Sequence, residues 1–174
     1  MSETAIEQTQ EWVPKNNPWL IIMPVMIATF MYALDETVAN VALPHIAGTF
    51  SVSSQESIWV LTSYLMASSI VIPMIDFLCK LMGRKNFFML GVFVFTIASF
   101  LCGIANSIVM IVIARALQGF GGGCLMPMAQ AVCMESFKGE ARNKAMAIFG
   151  LVVIIAPIIG PVMGGYITEN WSWP

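Results

Sequence analysis

Long apolar stretches separated by short polar segments form the dominant pattern of this sequence. Residues 86–114, 116–134 and 145–168 contain no charged side chain, and a helix needs about 20 mostly apolar residues to cross a bilayer. These stretches exceed the roughly 9–11 residues of a membrane β-strand and lack its alternation of polar and apolar positions. The pattern therefore predicts an all-α protein with five transmembrane helices, at about residues 18–43, 57–79, 87–105, 108–134 and 145–168.

Composition supports a membrane protein and excludes other classes. Hydrophobic residues make up 58% of the chain and charged residues 10%, with a mean hydropathy of +0.81, whereas a soluble chain devotes about a quarter of its residues to charge. The formal net charge of -2 gives no basic surface for nucleic acid. Outside the transmembrane bundle at 18–168, we expect a polar cytoplasmic tail at residues 1–17 and a truncated outer loop at 169–174.

The basic residues of the loops predict the orientation, because cytoplasmic loops of membrane proteins are enriched in lysine and arginine. The loops after the first and third helices contain neither residue type. Those after the second and fourth helices contain Lys80, Arg84, Lys85, Lys138, Arg142 and Lys144. We therefore expect the amino terminus in the cytoplasm and the carboxyl end outside.

The residue types needed for a metal site are scarce. His45 is the single histidine, and the four cysteines form no CxxC pair, so we expect no metal ion and no cofactor. The cysteines lie in or beside apolar runs, where we interpret them as small packing residues. We also expect no enzymatic activity.

Asp35 and Arg115 are charged residues inside predicted helices. Burying a charge at the bilayer centre costs at least roughly 2.5–3.5 kcal/mol, so such residues usually face a partner or a wet cavity. Counted along the helices, Asp35 lies about 25 Å and Arg115 roughly 20 Å from the cytoplasmic side, close enough to meet. Two interpretations stay open: a structural ion pair, or a carboxylate that takes up and releases a proton. Glu36 points about 100° away from Asp35, so the two carboxylates are not expected to act together.

Small residues and prolines distinguish the fifth helix. Ala156, Gly160 and Gly164 recur at four-residue spacing, which favours close helix packing. Pro157 and Pro161 each remove a backbone hydrogen bond and bend the helix. The pattern fits either a pliable helix or a static packing groove. The fourth helix has a second small-residue pair at the same spacing, Gly119 and Gly123.

Four segments, in order along the chain, resemble motifs of the major facilitator superfamily. Leu34–Pro44 (LDETVANVALP) resembles the first-helix signature of its drug–proton antiporters, and Lys80–Lys85 (KLMGRK) is similar to its loop motif. Ala114–Gly123 (ARALQGFGGG) resembles its fourth-helix motif, and Ala156–Gly165 (APIIGPVMGG) resembles its fifth-helix antiporter motif. The likeness is to the amino-terminal portion of the fourteen-helix EmrB/QacA-type multidrug efflux family.

This resemblance implies proton-coupled multidrug efflux across the cytoplasmic (inner) membrane of a bacterium. Protons and amphipathic toxic compounds are the implied partners, within membrane lipid, and a periplasmic adaptor protein is a further candidate. Proton coupling is implied for Asp35 and Arg115. Roles in the substrate cavity or in gating are implied for Asn40, Gln118, Gly119, Gly123, Pro157, Gly160, Pro161, Gly164 and Gly165. The cytoplasmic loop motif comprises Asp76, Lys80, Gly83, Arg84 and Lys85.

Departures from the family pattern leave a rival hypothesis. Asp76 stands where the loop motif usually has glycine, and a carboxylate is poorly placed near a helix carboxyl end, although it can pair with Lys80 at i,i+4. Ala156 replaces the first glycine of the fifth-helix motif. The family continues into a sixth helix and a second half, whereas this chain stops at Pro174. The alternative is therefore an inactive remnant or a non-transporting helical scaffold.

Overall fold

The structure, a computed structural model, describes the backbone of residues 18–170 and the side chains of residues 18–166. Over this range it contains helices and no strand. The helices are α1 (Pro18–Thr49), α2 (Ser54–Ser57), α3 (Trp59–Val71), α4 (Ile75–Met82), α5 (Arg84–Gly103), α6 (Ile108–Gly122), α7 (Leu125–Ser136) and α8 (Gly139–Asn170). The tail predicted at residues 1–17 and residues 171–174 lie outside the described part.

Five helical stretches of the described chain are long and apolar enough to cross a membrane. We name them spans 1 to 5: Pro18–Thr49, Ser54–Met82, Arg84–Gly103, Ile108–Ser136 and Gly139–Tyr166. Span 2 comprises α2 to α4, and span 4 comprises α6 and α7. The expected all-α fold with five membrane-length helices is confirmed, and the protein is a multi-pass membrane protein.

Spans 2 and 4 are interrupted inside the apolar region. Pro73 lies in a 3-10 turn, Ile72–Met74, that joins α3 to α4. Such a turn fits proline, which lacks the N–H group needed for a continuous α-helix. In span 4, Gly123 and Cys124 separate α6 from α7. The break follows the glycines at positions 121–123, and glycine is less favourable in a helix than any other residue except proline.

The first helix ends later than expected, at Thr49 rather than near residue 43. Pro44 lies in its interior, and the turns beyond it are held by tertiary contacts. Ile46 is 1% exposed and shares an apolar cluster with Val60, Ala105 and Ile111. Burial of this side chain therefore outweighs the hydrogen bond that the proline removes.

The fifth helix is also longer than expected, beginning at Gly139 rather than near residue 145 and ending at Asn170 rather than 168. Its first turns are polar, and Lys144 Nζ lies 3.0 Å from Glu140 Oε1 in an i,i+4 ion pair. Helices two, three and four likewise extend or shift by up to a few residues from the predicted bounds. Apolar runs mark the membrane core, whereas polar residues continue helices beyond it.

The spans pack in two main groups. Span 1 packs along span 5, whereas span 4 packs along spans 2 and 3 through its α6 segment. α7 connects the groups, because Ala129 and Cys133 are fully buried in a cluster with Ile22 of span 1 and Phe149 of span 5. α1 and α6 themselves have little backbone contact.

Candidate functional site

A buried ion pair crosses from α6 to α1. Arg115 Nη1 donates a hydrogen bond to Asp35 Oδ2 over 2.6 Å, and the two side chains are 7% and 21% exposed. This distance is short for a hydrogen bond between an ionised donor and an ionised acceptor. Hydrogen bonds between ionised groups are stronger than those between neutral groups. The structure thus joins the two charged residues that the sequence placed at similar depths.

Arg115 has a further hydrogen-bond donor that this contact does not use. Its Nε is buried and has no hydrogen-bond partner in the described structure. A buried donor without a partner costs about 1–3 kcal/mol, and removing one member of a buried ion pair costs about 3–5 kcal/mol. Arg115 therefore depends strongly on the charge of Asp35.

The helices that carry the pair make it sensitive to helix position. α1 and α6 have little backbone contact. The long side chain of Arg115 therefore spans the space between the two helices to reach Asp35. Around Asp35, the small residues Ala28, Ala39 and Ala42 are all buried. A displacement of either helix would therefore alter the pair directly.

A partly open cavity of about 250 Å³ lies between spans 1, 2, 4 and 5. Tyr32, three residues before Asp35, forms part of its wall, together with Ser68, Gly123, Gln130 and Phe149. The lining is mostly apolar with a few polar groups, as is common for small-molecule sites. Tyr32, Gln130 and Phe149 were not singled out from the sequence, because residues of three different spans meet only in the folded bundle.

Gln118 lies away from this cavity. It is fully buried, its Nε2 donates to Ser99 Oγ of span 3 over 2.6 Å, and its Oε1 lies 3.9 Å from Cys102 Sγ. The expected role in the cavity or in gating therefore has no direct contact to support it. The side chain joins spans 3 and 4 because the register of α6 turns it towards span 3.

Gly119 and Gly123 of span 4 are points of close contact with span 2. A β-carbon on Gly119 would overlap the Tyr64 carbonyl oxygen and approach Ala67 to 2.9 Å. A β-carbon on Gly123 would lie 2.9 Å from Ser68 Cα. Both positions therefore require glycine for packing, and Gly123 also lines the cavity.

The small-residue stripe of span 5 contacts span 1. Ala156, Gly160 and Gly164 are buried, whereas Pro157 and Pro161 are exposed on a neighbouring face of the helix. A β-carbon on Gly160 would overlap the side chain of Thr37, and one on Gly164 would meet Val38 at 3.5 Å.

Two further residues with predicted cavity or gating roles have looser surroundings. A β-carbon added to Gly165 would have no atom within 4 Å. Asn40 is exposed, and its Nδ2 donates to the Glu36 carbonyl over 2.9 Å.

The loop motif forms a contact that the sequence did not suggest. Arg84 pairs with Glu135, near the end of α7, and both side chains are more than half exposed. Gly83 joins α4 to α5 with a φ of 81°, a left-handed conformation that suits glycine. Asp76, Lys80 and Lys85 are exposed. The Asp76–Lys80 pair considered from the sequence does not form in the described structure, since two exposed, flexible side chains gain little from pairing.

These features define a polytopic helical membrane protein with a buried ion pair and a partly open cavity between its spans. The sequence signature of the Major Facilitator Superfamily matches residues 25–174. The chain belongs to this superfamily.

Relatives from several bacteria match most of this chain. It is 39% identical over 166 residues to the multidrug export protein EmrB of Escherichia coli, covering 94% of the chain and 32% of that protein. It is 38% identical over 156 residues to EmrB of Haemophilus influenzae, covering 88% and 31%. The fatty acid resistance protein FarB of Neisseria gonorrhoeae is 39% identical over 153 residues, covering 88% and 30%. The chain thus spans about a third of the length of these curated relatives.

Proposed function

We propose that this chain forms the amino-terminal portion of a proton-coupled multidrug exporter in the inner membrane of a bacterium. Amphipathic small molecules and protons are its cargo, exchanged in opposite directions. The observation that carries the proposal is the ion pair of Arg115 with Asp35, 2.6 Å long and mostly buried. The superfamily match and the names of the relatives support multidrug transport as the class of function.

In this proposal Asp35 carries the proton. Protonation removes the charge of its carboxylate and weakens its bond to Arg115, leaving a buried guanidinium without its counterion. Because such a group is costly, the helices would move until Arg115 finds another acceptor or water. Movement of α1 relative to α6 would in turn change the cavity, since Tyr32 of α1 is part of its wall.

A purely structural pair is the competing explanation of the same contact. It would hold spans 1 and 4 together and take no part in proton transfer. The Nε of Arg115 that lacks a partner favours the proton-coupled explanation, because a purely structural site would be expected to satisfy every donor. An inactive remnant or a helical scaffold is the corresponding alternative for the whole protein.

The decisive experiment uses the full-length exporter in proteoliposomes. We expect Asp35→Asn to abolish proton-driven efflux while the protein still inserts and folds. Glu140→Gln is a matched control, because it removes one carboxylate charge from an exposed position. Undiminished proton-coupled efflux by Asp35→Asn would leave the pair with a structural role alone.

A further inference from the structure

We propose that Tyr64 donates a hydrogen bond to the hydroxyl oxygen of Tyr32 when the ion pair of Asp35 is released. Tyr64 is then a positioning residue, which stabilises a second conformation of the bundle. The inference rests on the export function proposed above and adds a contact that alternates with the ion pair. The observation that carries it is the hydroxyl of Tyr64, which is buried without a hydrogen-bond partner in the described structure.

The hydroxyl of Tyr64 is enclosed by the bundle. Tyr64 of span 2 is 3% exposed, and its hydroxyl oxygen lies against Gly122 of span 4, where an added β-carbon would approach it to 3.1 Å. A tyrosine hydroxyl can both donate and accept, yet within the described part of the chain this one has no partner. Because an unpaired buried polar group is costly, this hydroxyl favours any other conformation in which it finds a partner.

Tyr32 of span 1 is positioned to be that partner. Its ring centroid lies 6.4 Å from that of Tyr64, with the ring planes tilted by 38°. The two hydroxyl groups are close enough to interact, but their geometry does not make a hydrogen bond. Backbone contact between α1 and α3 is slight. A small displacement of α1 relative to α3 is therefore enough to bring the two hydroxyl groups together.

The position of Tyr32 couples this contact to the ion pair. Tyr32 precedes Asp35 by three residues, so the two side chains lie on the same side of α1. Asp35 connects α1 to Arg115 of span 4 in this conformation, and release of the pair removes that connection. Formation of the tyrosine bond would then offset part of the loss. α1 thus has a polar contact with the neighbouring spans in each conformation, to Arg115 in one and to Tyr64 in the other.

The first test is the melting temperature of the purified full-length protein in detergent. Tyr64→Phe removes the unpaired hydroxyl and keeps the ring, so we expect the melting temperature to rise by about 1–3 °C. In an Asp35→Asn background the charge of the ion pair is removed and the hydroxyl is paired, so the same change should lower the melting temperature. Tyr166→Phe is the matched control, because its side chain is 65% exposed, and it should have no effect in either background.

The second test is a double-mutant cycle of ethidium efflux by the full-length exporter in proteoliposomes. Tyr64→Phe and Tyr32→Phe should each slow efflux about fivefold. The double variant should be no slower than either single variant, because all three lack the same hydrogen bond.

Three results would overturn the proposal. They are losses that multiply in the double variant, unchanged efflux in either single variant, and a shift of the melting temperature by Tyr64→Phe that has the same sign in both backgrounds. The melting temperatures are measured without a proton gradient. Proton-coupled efflux by Asp35→Asn would therefore contradict the proposed function, while the melting temperatures would still decide this inference.

Discussion

Gly160 of span 5 packs directly against the side chain of Thr37 in span 1. A β-carbon at position 160 would overlap the Thr37 hydroxyl and lie 2.7 Å from Thr37 Cβ. The hydroxyl donates to the carbonyl of Leu34 over 2.9 Å, which fixes the threonine against its own helix. The two spans can approach this closely only because one of them has no side chain at the contact.

We predict that Gly160→Ala destabilises the protein by about 1–3 kcal/mol, because the added methyl group must push the two helices apart. The measurement is thermal unfolding of the full-length protein in detergent. Gly150→Ala in the same helix is the control, since a β-carbon there meets no atom within 4 Å. Equal melting temperatures for the two variants would contradict this packing.

A conservative change at Arg115 should also impair coupling. Arg115→Lys keeps the positive charge but loses the planar fork and the Nε donor of the guanidinium. We expect proton-driven efflux to fall well below that of the unmodified exporter in proteoliposomes, with the amount of inserted protein unchanged. Full activity of the lysine variant would mean that charge alone is sufficient at this position.

The Arg84–Glu135 pair is expected to contribute little to stability. Both side chains are more than half exposed, and pairs of this kind contribute about 0–1 kcal/mol. A double-mutant cycle with Arg84→Ala and Glu135→Ala, followed by denaturant unfolding, should give a coupling energy of at most about 1 kcal/mol. A much larger value would indicate that this end of the bundle is shielded from solvent.

The orientation predicted from the loop charges can be tested by labelling. After the native cysteines are replaced, a cysteine at Gly48 or Asn106 should react with an impermeant thiol reagent added outside intact cells. A cysteine at Asn86 or Gly139 should react only after the membrane is opened. The reverse pattern would place the amino terminus outside.

Residues 1–174 expressed alone should insert into the membrane without transporting. Superfamily transporters bind ligand between two halves and move one against the other, whereas this chain contains five spans within its described part. The assay is dye extrusion, with and without a proton gradient, in cells that lack their own efflux pumps. Gradient-dependent extrusion would instead indicate a functional oligomer of this chain.

The sequence predicted the number of spans, because apolar length is the property that the membrane selects. It could not predict where α1 ends and where α8 begins. Ile46 keeps α1 helical by tertiary contact, and the Glu140–Lys144 pair lies in polar turns that hydropathy does not register.

The candidate site was predictable in part. Depth along two helices was enough to suggest that Asp35 and Arg115 meet, because both are charged residues within apolar runs. The contacts of Gln118 with Ser99 and of Arg84 with Glu135 depend on helix rotation and on which spans are neighbours. Neither property is encoded locally in the sequence.

The packing of span 5 on span 1 sets the order in which the bundle can be completed during synthesis. Thr37 and Gly160 are 123 positions apart, and a ribosome adds about 5–20 residues per second. Span 1 is therefore synthesised roughly 6–25 s before its main partner, span 5. During that interval its face for span 5 is covered by lipid or by another protein, and assembly of this part of the bundle finishes only when the fifth helix arrives.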